Sequence, residues 1–184
     1  MARRNANRPR NIILTGFMGS GKTTVGRELA RRLGWRFVDL DHEIERRARM
    51  SVAGLFKRRG EPAFREFEHS AIRGLYRRCR CVVAVGGGAP VFPRNRRWLM
   101  RAGLVVWLRV PVSELVRRLA RGGRRPLLAA ARGSSPALAR LVRALLRRRA
   151  PAYSRAALTV SGLGSPERVA ALIGRRVGGQ AGTR

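Results

Sequence analysis

Residues 11–34, "NIILTGFMGSGKTTVGRELARRLG", decide how the rest of the chain is read. The stretch opens with NIILTG (11–16), an apolar run ending in glycine, which predicts a short buried strand. It closes with KTTVGRELARRLG (22–34), where Val25, Leu29 and Leu33 recur at helical spacing and Gly34 stands ready to end the helix. Between them GFMGSGKT, Gly16 to Thr23, satisfies G-x-x-x-x-G-K-[ST]. Glycines at those positions let backbone N–H groups turn inward around phosphate oxygens. Gly19, Ser20, Gly21, Lys22, Thr23 and Thr24 are therefore the expected ATP contacts. Lys22 can reach the β and γ phosphates, and the Thr23 hydroxyl can ligate Mg²⁺.

Outward from this stretch the chain alternates. RFVDL (36–40) predicts a second strand, and DHEIERRARM (41–50) a helix with acid in its first turn, where the helix dipole favours it. Ser51 is placed to cap VAGLFKRRG, and a longer helix follows over 61–78 with Pro62 near its start. CVVAV (81–85) reads as a third strand, stopped by GGG. A helix over 93–103, a strand over 104–110 and a helix over 111–121 come next. Residues 122–136 read as a loop. Helix returns over 137–153, a weak fifth strand over 156–160, and a closing helix is capped by Ser165 with Pro166 at its first position. This alternation predicts an α/β fold: a five-stranded parallel sheet with helices on both faces. Ligands on such sheets collect at the carboxyl ends of the strands. The expected plan is one domain over 11–175, between a disordered basic tail (1–10) and a flexible C-terminal tail (176–184).

Charge is the anomaly. The 184 residues hold 41 basic and 10 acidic side chains, a net charge of +31. Lysine occurs only at 22 and 57, so the other 39 bases are arginine. They are spread along the chain rather than gathered into a stripe, as a GC-rich coding sequence would leave them. No RRM, KH or RGG-repeat signature accompanies them, so no specific nucleic-acid partner is expected. No apolar run approaches the ~20 residues that span a bilayer, and no signal-type apolar region with a small-residue cleavage site follows the basic start. Membrane association is not expected, and the location is read as cytoplasmic. Cys79 and Cys81 lie two residues apart, which suits neither a zinc site nor a mutual disulfide. Buried or half-buried free thiols are expected, in a reducing compartment.

Four of the ten acids fall in FVDLDHEIE (37–45). No N-K-x-D guanine-reading motif is present, and the third strand ends in Gly86 rather than in a metal-binding carboxylate. The carboxylate for a metal must come from elsewhere. Asp39 and Asp41 stand two residues apart at the end of the second strand, hence on one side while the chain stays extended. Glu43 and Glu45 face Arg47 and Arg49 at i, i+4 and are read as helix-surface pairs.

The combination GFMGSGKTTVGRELARRLG, FVDLDHEIE, F-R-x-x-E at Phe64–Glu68, GGGA at Gly86–Ala89, RRPLL at 124–128 and RRAPAY at 148–153 resembles the shikimate kinase family, in order and with fitting spacing over about residues 11–175. The resemblance implies a P-loop fold like that of nucleoside-monophosphate kinases, with substrate-binding helices over about 41–79 and a mobile lid over about 122–136. It implies transfer of the ATP γ-phosphoryl group to the 3-hydroxyl of shikimate by a monomer, in the pathway to chorismate and the aromatic amino acids. Asp41 would receive or orient the attacking hydroxyl, and Asp39 would hold Mg²⁺ with Thr23. Arg65 and Arg149 would clamp the substrate carboxylate beside Gly86, Gly87 and Gly88, with Glu68 orienting Arg65. Arg125 would close from the lid, and Arg118 and Pro166 would flank adenine; Arg121, Arg124 and Arg132 are read as solvated. Phe56 and Phe64 would wall the pocket or pack in the core. The nearest rival is another small-metabolite kinase, such as a gluconate kinase. A neutral polyol or nucleoside acceptor would have no use for the paired arginines. An RNA-associated P-loop protein is the rival from another class.

Overall fold

The computed structural model describes residues 9–121 and 135–179. Its sheet holds β1 (Asn11–Thr15), β2 (Arg36–Asp39), β3 (Cys81–Ala84), β4 (Leu104–Arg109) and β5 (Leu158–Ser161). All pairings are parallel, in the order β2-β3-β1-β4-β5. The strand that opens the chain is central and buried on both faces, which is why it reads as an uninterrupted apolar run.

The helices are α1 (Lys22–Leu33), α2 (Leu40–Ala48), α3 (Val52–Leu75), α4 (Pro93–Ala102), α5 (Val112–Arg121), α6 (Ser135–Tyr153) and α7 (Pro166–Gly179). Side chains alternate along β1 between two cores. Ile12 and Leu14 join Val25 and Leu29 of α1 and Val169 and Ile173 of α7. Ile13 joins Ile44 of α2, Ile72 and Leu75 of α3, and Leu99 of α4. A third cluster lies past the strand ends, where Phe17 and Tyr153 pack with Leu115 and Leu119 of α5 and Val142 of α6.

Asn11, fully buried, ties these layers together. Its Nδ2 donates to the Arg78 and Ala102 carbonyls at 2.9 and 2.8 Å and, more weakly, to that of Leu75 at 3.4 Å. Its Oδ1 accepts from Cys81 N at 3.1 Å. One side chain thus ties together the turn after α3, the end of α4 and the start of β3.

Gly60, with φ 76° and ψ 175°, breaks α3 into two helical segments, as the separate helices expected over 52–60 and 61–78 require. Ser51 Oγ caps the first segment by accepting from Gly54 N at 3.0 Å. The second segment stops at Leu75, three residues short of expectation. There the N–H groups of Tyr76, Arg77 and Arg78 bond back only three residues, tightening into a turn. The closing helix runs past 175 to Gly179, because Val177 is buried in the α1–α7 core. At the other end Arg10 is already tied in, its carbonyl accepting from Arg80 N at 2.8 Å. The expectation that both thiols are covered fails for one of them: both are free, Cys81 is buried and Cys79 is exposed. Among the described residues no helix is long and apolar enough to cross a membrane.

Candidate active site

At the carboxyl end of the sheet a cavity of about 290 Å³ opens between the β1–α1 loop, the start of α2 and the end of β3. Its walls include Gly19, Gly21, Lys22, Thr23, Thr24, Asp39, Asp41, Gly86 and Gly87. Residues far apart in sequence and singled out there thus share one space.

The loop at its base is built on left-handed glycines, Gly19 at φ 80° and Gly21 at φ 90°, a conformation side chains resist. Lys22 Nζ spans the loop, donating to the Gly16 and Phe17 carbonyls at 3.0 Å each. Thr24 Oγ1 donates back to the Gly21 carbonyl at 2.9 Å. Ser20 differs from its neighbours. Its N–H closes a turn onto the Phe17 carbonyl at 3.1 Å, and its buried hydroxyl faces the loop's interior, not the cavity. Met18, not anticipated, lies on the wall instead.

The two aspartates are close, but not by the geometry expected. The chain does not stay extended through them. Asp39 ends β2 and caps α2, its Oδ1 accepting from Asp41 N at 3.1 Å, so Asp41 already belongs to the helix. The other Asp39 oxygen, Oδ2, accepts from Thr23 Oγ1 at 3.0 Å. A carboxylate and a hydroxyl thus meet at the lip of the phosphate loop. Such a small set of hard oxygens suits Mg²⁺, which keeps waters and takes substrate phosphates as further ligands. Among the described residues no cluster of three acids, histidines or cysteines offers an all-protein metal cage.

Asp41 meets solvent through the cavity mouth, while protein crowds its carboxylate from the other sides. That desolvation, and then the charge of Asp39, pushes its carboxyl above the ordinary aspartate range, against the pull of Lys22. A carboxylate so placed is a better proton acceptor than a free one.

Arg65 and Arg149 do not line this cavity; they lie against Gly88 and Gly87, the glycines that continue its wall past Gly86. Arg65 is gripped on two sides: Nε and Nη2 donate to Glu61 Oε1 at 3.0 and 2.8 Å, and Nη1 donates to Glu68 Oε2 at 3.0 Å. It also stacks 4.5 Å from the Phe92 ring and 5.0 Å from Phe64. Phe64 is buried in the core and Phe56 packs on it at 4.6 Å, itself partly exposed. A Cβ at Gly88 would stand 3.4 and 3.5 Å from Arg65 Nη1 and Nη2 but 3.8 Å from Cζ. Over the guanidinium face the carbon would be as near as the nitrogens, so this point lies in front of the Nη1–Nη2 fork. Gly88 leaves open the one edge of Arg65 that neither glutamate covers.

Arg149, on α6, approaches the same loop from the opposite side. A Cβ at Gly87 would lie 3.5 Å from its Nη1 and 3.1 Å from the Gly16 carbonyl. Tyr153, one turn later, donates to the Gly87 carbonyl at 2.5 Å, and burial pushes its phenol up to about 12, so it stays a donor. Gly86 faces both acids: a Cβ there would sit 3.4 Å from Asp41 Oδ1 and 3.5 Å from Glu68 Oε1.

On the outer side of the phosphate loop Arg118 reaches from α5 to the Gly19 carbonyl at 3.3 Å and the Gly162 carbonyl at 3.0 Å. Glu114 holds its Nε at 2.6 Å, and hydrogen bonds from Arg117 and Arg118 pull that carboxyl down to about 2. Pro166 opens α7 four residues after Gly162. Arg125 and residues 122–134 of the expected lid lie outside the described residues.

The remaining acids of FVDLDHEIE divide differently from expectation. Glu43 does meet Arg47, at 2.9 Å, but it is largely covered and also gathers Arg46 and Arg78, both at 3.0–3.1 Å. Glu45 does not pair with Arg49. Arg49 adopts a left-handed conformation to end α2, and Glu45 turns instead to accept from Val52 N at 3.0 Å.

Comparison with known proteins fits this arrangement. A profile of the family described as Shikimate kinase matches residues 18–176. A shikimate kinase of Geobacter metallireducens is 52% identical over 119 residues, 65% of this chain; the chain spans 66% of that relative's length. One of Moorella thermoacetica is 45% identical over 146 residues, 79% of this chain and 81% of the relative. The solved shikimate kinase of Acinetobacter baumannii in complex with shikimate superposes with a TM-score of 0.85 at 38% identity, covering 95% of this chain and 96% of that one. A gluconokinase of Sinorhizobium meliloti, at 18% identity and a TM-score of 0.58 over 97% of this chain and 93% of its own, shares the fold alone. With the phosphate loop, the aspartate pair and the glycine-flanked arginines all in place, the chain belongs to the shikimate kinase family.

Proposed function

We propose that this chain transfers the γ-phosphoryl group of ATP to the 3-hydroxyl of shikimate, giving shikimate 3-phosphate and ADP in the pathway to chorismate. The observation that carries the proposal is the open Nη1–Nη2 fork of Arg65 in front of Gly88, with Arg149 across the same loop. Two guanidiniums beyond a carboxylate and a phosphate loop fit a small acceptor with a carboxylate at one end and hydroxyls at the other.

Phosphoryl transfer needs positioning and charge neutralisation more than covalent chemistry. The loop amides of Gly19, Gly21, Lys22, Thr23 and Thr24 and the Lys22 ammonium take the phosphates, while the Ser20 amide keeps the turn onto Phe17; Lys22 exchanges its two carbonyl partners for phosphate oxygens. Thr23 and Asp39 hold Mg²⁺, which supplies neutralisation of the phosphate charge when bound. Asp41 accepts the hydrogen bond of the attacking hydroxyl, and its raised affinity for protons suits it to take that proton as transfer proceeds. Arg65 and Arg149 hold the carboxylate, and Glu68 and Glu61 fix the Arg65 plane. Arg118 and Pro166 border the adenine, and Arg125 neutralises the transferring group. The enzyme works as a cytoplasmic monomer; an exposed free Cys79 suits a reducing compartment.

The test is coupled ADP release with ATP, Mg²⁺ and a panel of shikimate, gluconate and nucleoside monophosphates. Gluconate belongs in the panel because it also carries a carboxylate. Turnover with shikimate alone is expected, and turnover with another acceptor but not shikimate would overturn the assignment.

A further inference from the structure

The mechanism uses Arg65 and Glu68 but leaves unexplained a buried polar chain behind them. Asn95, in the first turn of α4, is 1% exposed, and so is Glu68. Asn95 Nδ2 donates to Glu68 Oε2 at 3.1 Å, the same oxygen that receives Arg65 Nη1. Asn95 Oδ1 lies 2.8 Å from Nδ1 of His69, the residue after Glu68 on α3.

The chemistry gives this chain one polarity. A carboxylate oxygen only accepts, so the atom of Asn95 facing it must be the amide nitrogen. The amide oxygen then faces His69, so His69 Nδ1 must carry the proton and donate. Turning the amide over would set its oxygen against the carboxylate of Glu68 and leave a buried acceptor pair, a costly arrangement. Each link therefore fixes the next, from His69 to Asn95 to Glu68 to Arg65. The last link matters for the substrate. Without Asn95, Glu68 Oε2 would have only Arg65 to hold it, and the carboxylate could turn out of the bond, pushed by the like charge of Asp41 across Gly86. Arg65 would then keep only Glu61, which is well exposed, and its fork would lose its aim at the space before Gly88.

We propose that His69 and Asn95 are positioning residues for the acceptor carboxylate: they lock Glu68, and through it the direction of the Arg65 fork. This rests on the shikimate kinase reading for the identity of the acceptor, but the polarity of the chain does not.

The α3–α4 seam is held independently of His69, by Ile72 and Leu99 in the core and by the Arg94–Glu66 bridge at 2.5 Å on the outside. His69 can therefore be changed without separating the helices. His69→Leu removes the donor. His69→Asn keeps one, because an asparagine amide nitrogen overlies the imidazole Nδ1. His69→Leu is expected to raise the KM for shikimate about fivefold or more, with kcat and the KM for ATP within about twofold of the parent. His69→Asn should restore the parent KM to within about twofold. An unchanged shikimate KM in a folded His69→Leu enzyme overturns the proposal, as does an equal loss in both variants. A second measurement needs no turnover. ¹⁵N NMR of the unsubstituted protein should show His69 with its proton on Nδ1, and a neutral imidazole protonated only at Nε2 would overturn the chain's polarity. If the parent fails to phosphorylate shikimate, the functional reading falls while this NMR result still decides the relay.

Discussion

Gly88→Ala isolates the acceptor site without disturbing the fold. Gly88 has φ −91° and ψ −21°, which alanine adopts without strain. The added Cβ would meet the free protein only at ordinary van der Waals distance, 3.4–3.5 Å from the Arg65 nitrogens. A bound carboxylate must instead bring its oxygens to about 2.8 Å from those same nitrogens. The methyl group and the carboxylate cannot share that space. Losing even one charge-assisted hydrogen bond of the fork costs about 1.5–3 kcal/mol, or roughly 10- to 150-fold in affinity. The melting temperature should be unchanged or slightly higher, since alanine restrains the unfolded chain more than glycine. Steady-state kinetics should show the shikimate KM raised by that factor, the ATP KM within about twofold, and Asp41 still at work in kcat. A folded Gly88→Ala enzyme with a shikimate KM within about threefold of the parent would refute the placement of the carboxylate.

Asp41→Asn should lower kcat by at least ~10², the usual scale for a proton acceptor or orienting group, and near-parental kcat would remove it from that role. Its raised carboxyl also sets two pH effects. The acid limb of kcat/KM should lie above the ordinary aspartate range in the parent and vanish in Asp41→Asn. A group that binds its proton more tightly when folded stabilises at low pH and loses that contribution as pH rises through the folded value. Asp41→Asn should therefore melt higher than the parent at about pH 7, with the gap closing toward about pH 3. Asn11→Ala should cost about 1–3 kcal/mol, because it removes the buried bonds to the Ala102 carbonyl and the Cys81 N–H. Urea melts should show the midpoint falling at constant slope, and an unchanged midpoint would contradict the bonding described. A charge of +31 repels itself, so the melting temperature should rise with salt, and more steeply with phosphate or sulfate, which the phosphate loop can hold. A fall would show that the arginines are not a net burden.

What was legible in the sequence was local or periodic. GFMGSGKT marks a strand–loop–helix by itself, and the apolar runs place the other strands, so a five-stranded parallel sheet and one cavity wall follow, while the strand order β2-β3-β1-β4-β5 does not. Asp39 and Asp41 were legible as a pair but not in shape, since whether a strand end stays extended depends on which residue caps the next helix. Glu45 turned to Val52 for a similar reason: the left-handed turn at Arg49 is invisible to i, i+4 counting. Contacts made by packing left no trace. Asn95 reaches Glu68 across 27 positions and Asn11 reaches Ala102 across 91. Each depends on how α4 lies against its neighbours, which no spacing rule encodes. Ser20 sits within the motif, yet its hydroxyl faces inward, because the motif specifies backbone geometry rather than side-chain direction.

The central claim is regiospecific transfer from ATP to an acceptor gripped by its carboxylate, and one spectrum tests it. The enzyme is incubated with ATP, Mg²⁺ and shikimate, and the product is read by ³¹P–¹H correlation NMR. The account predicts a single new phosphate ester whose phosphorus couples to the ring proton at C3. No ester, or phosphorus on another hydroxyl, would contradict it.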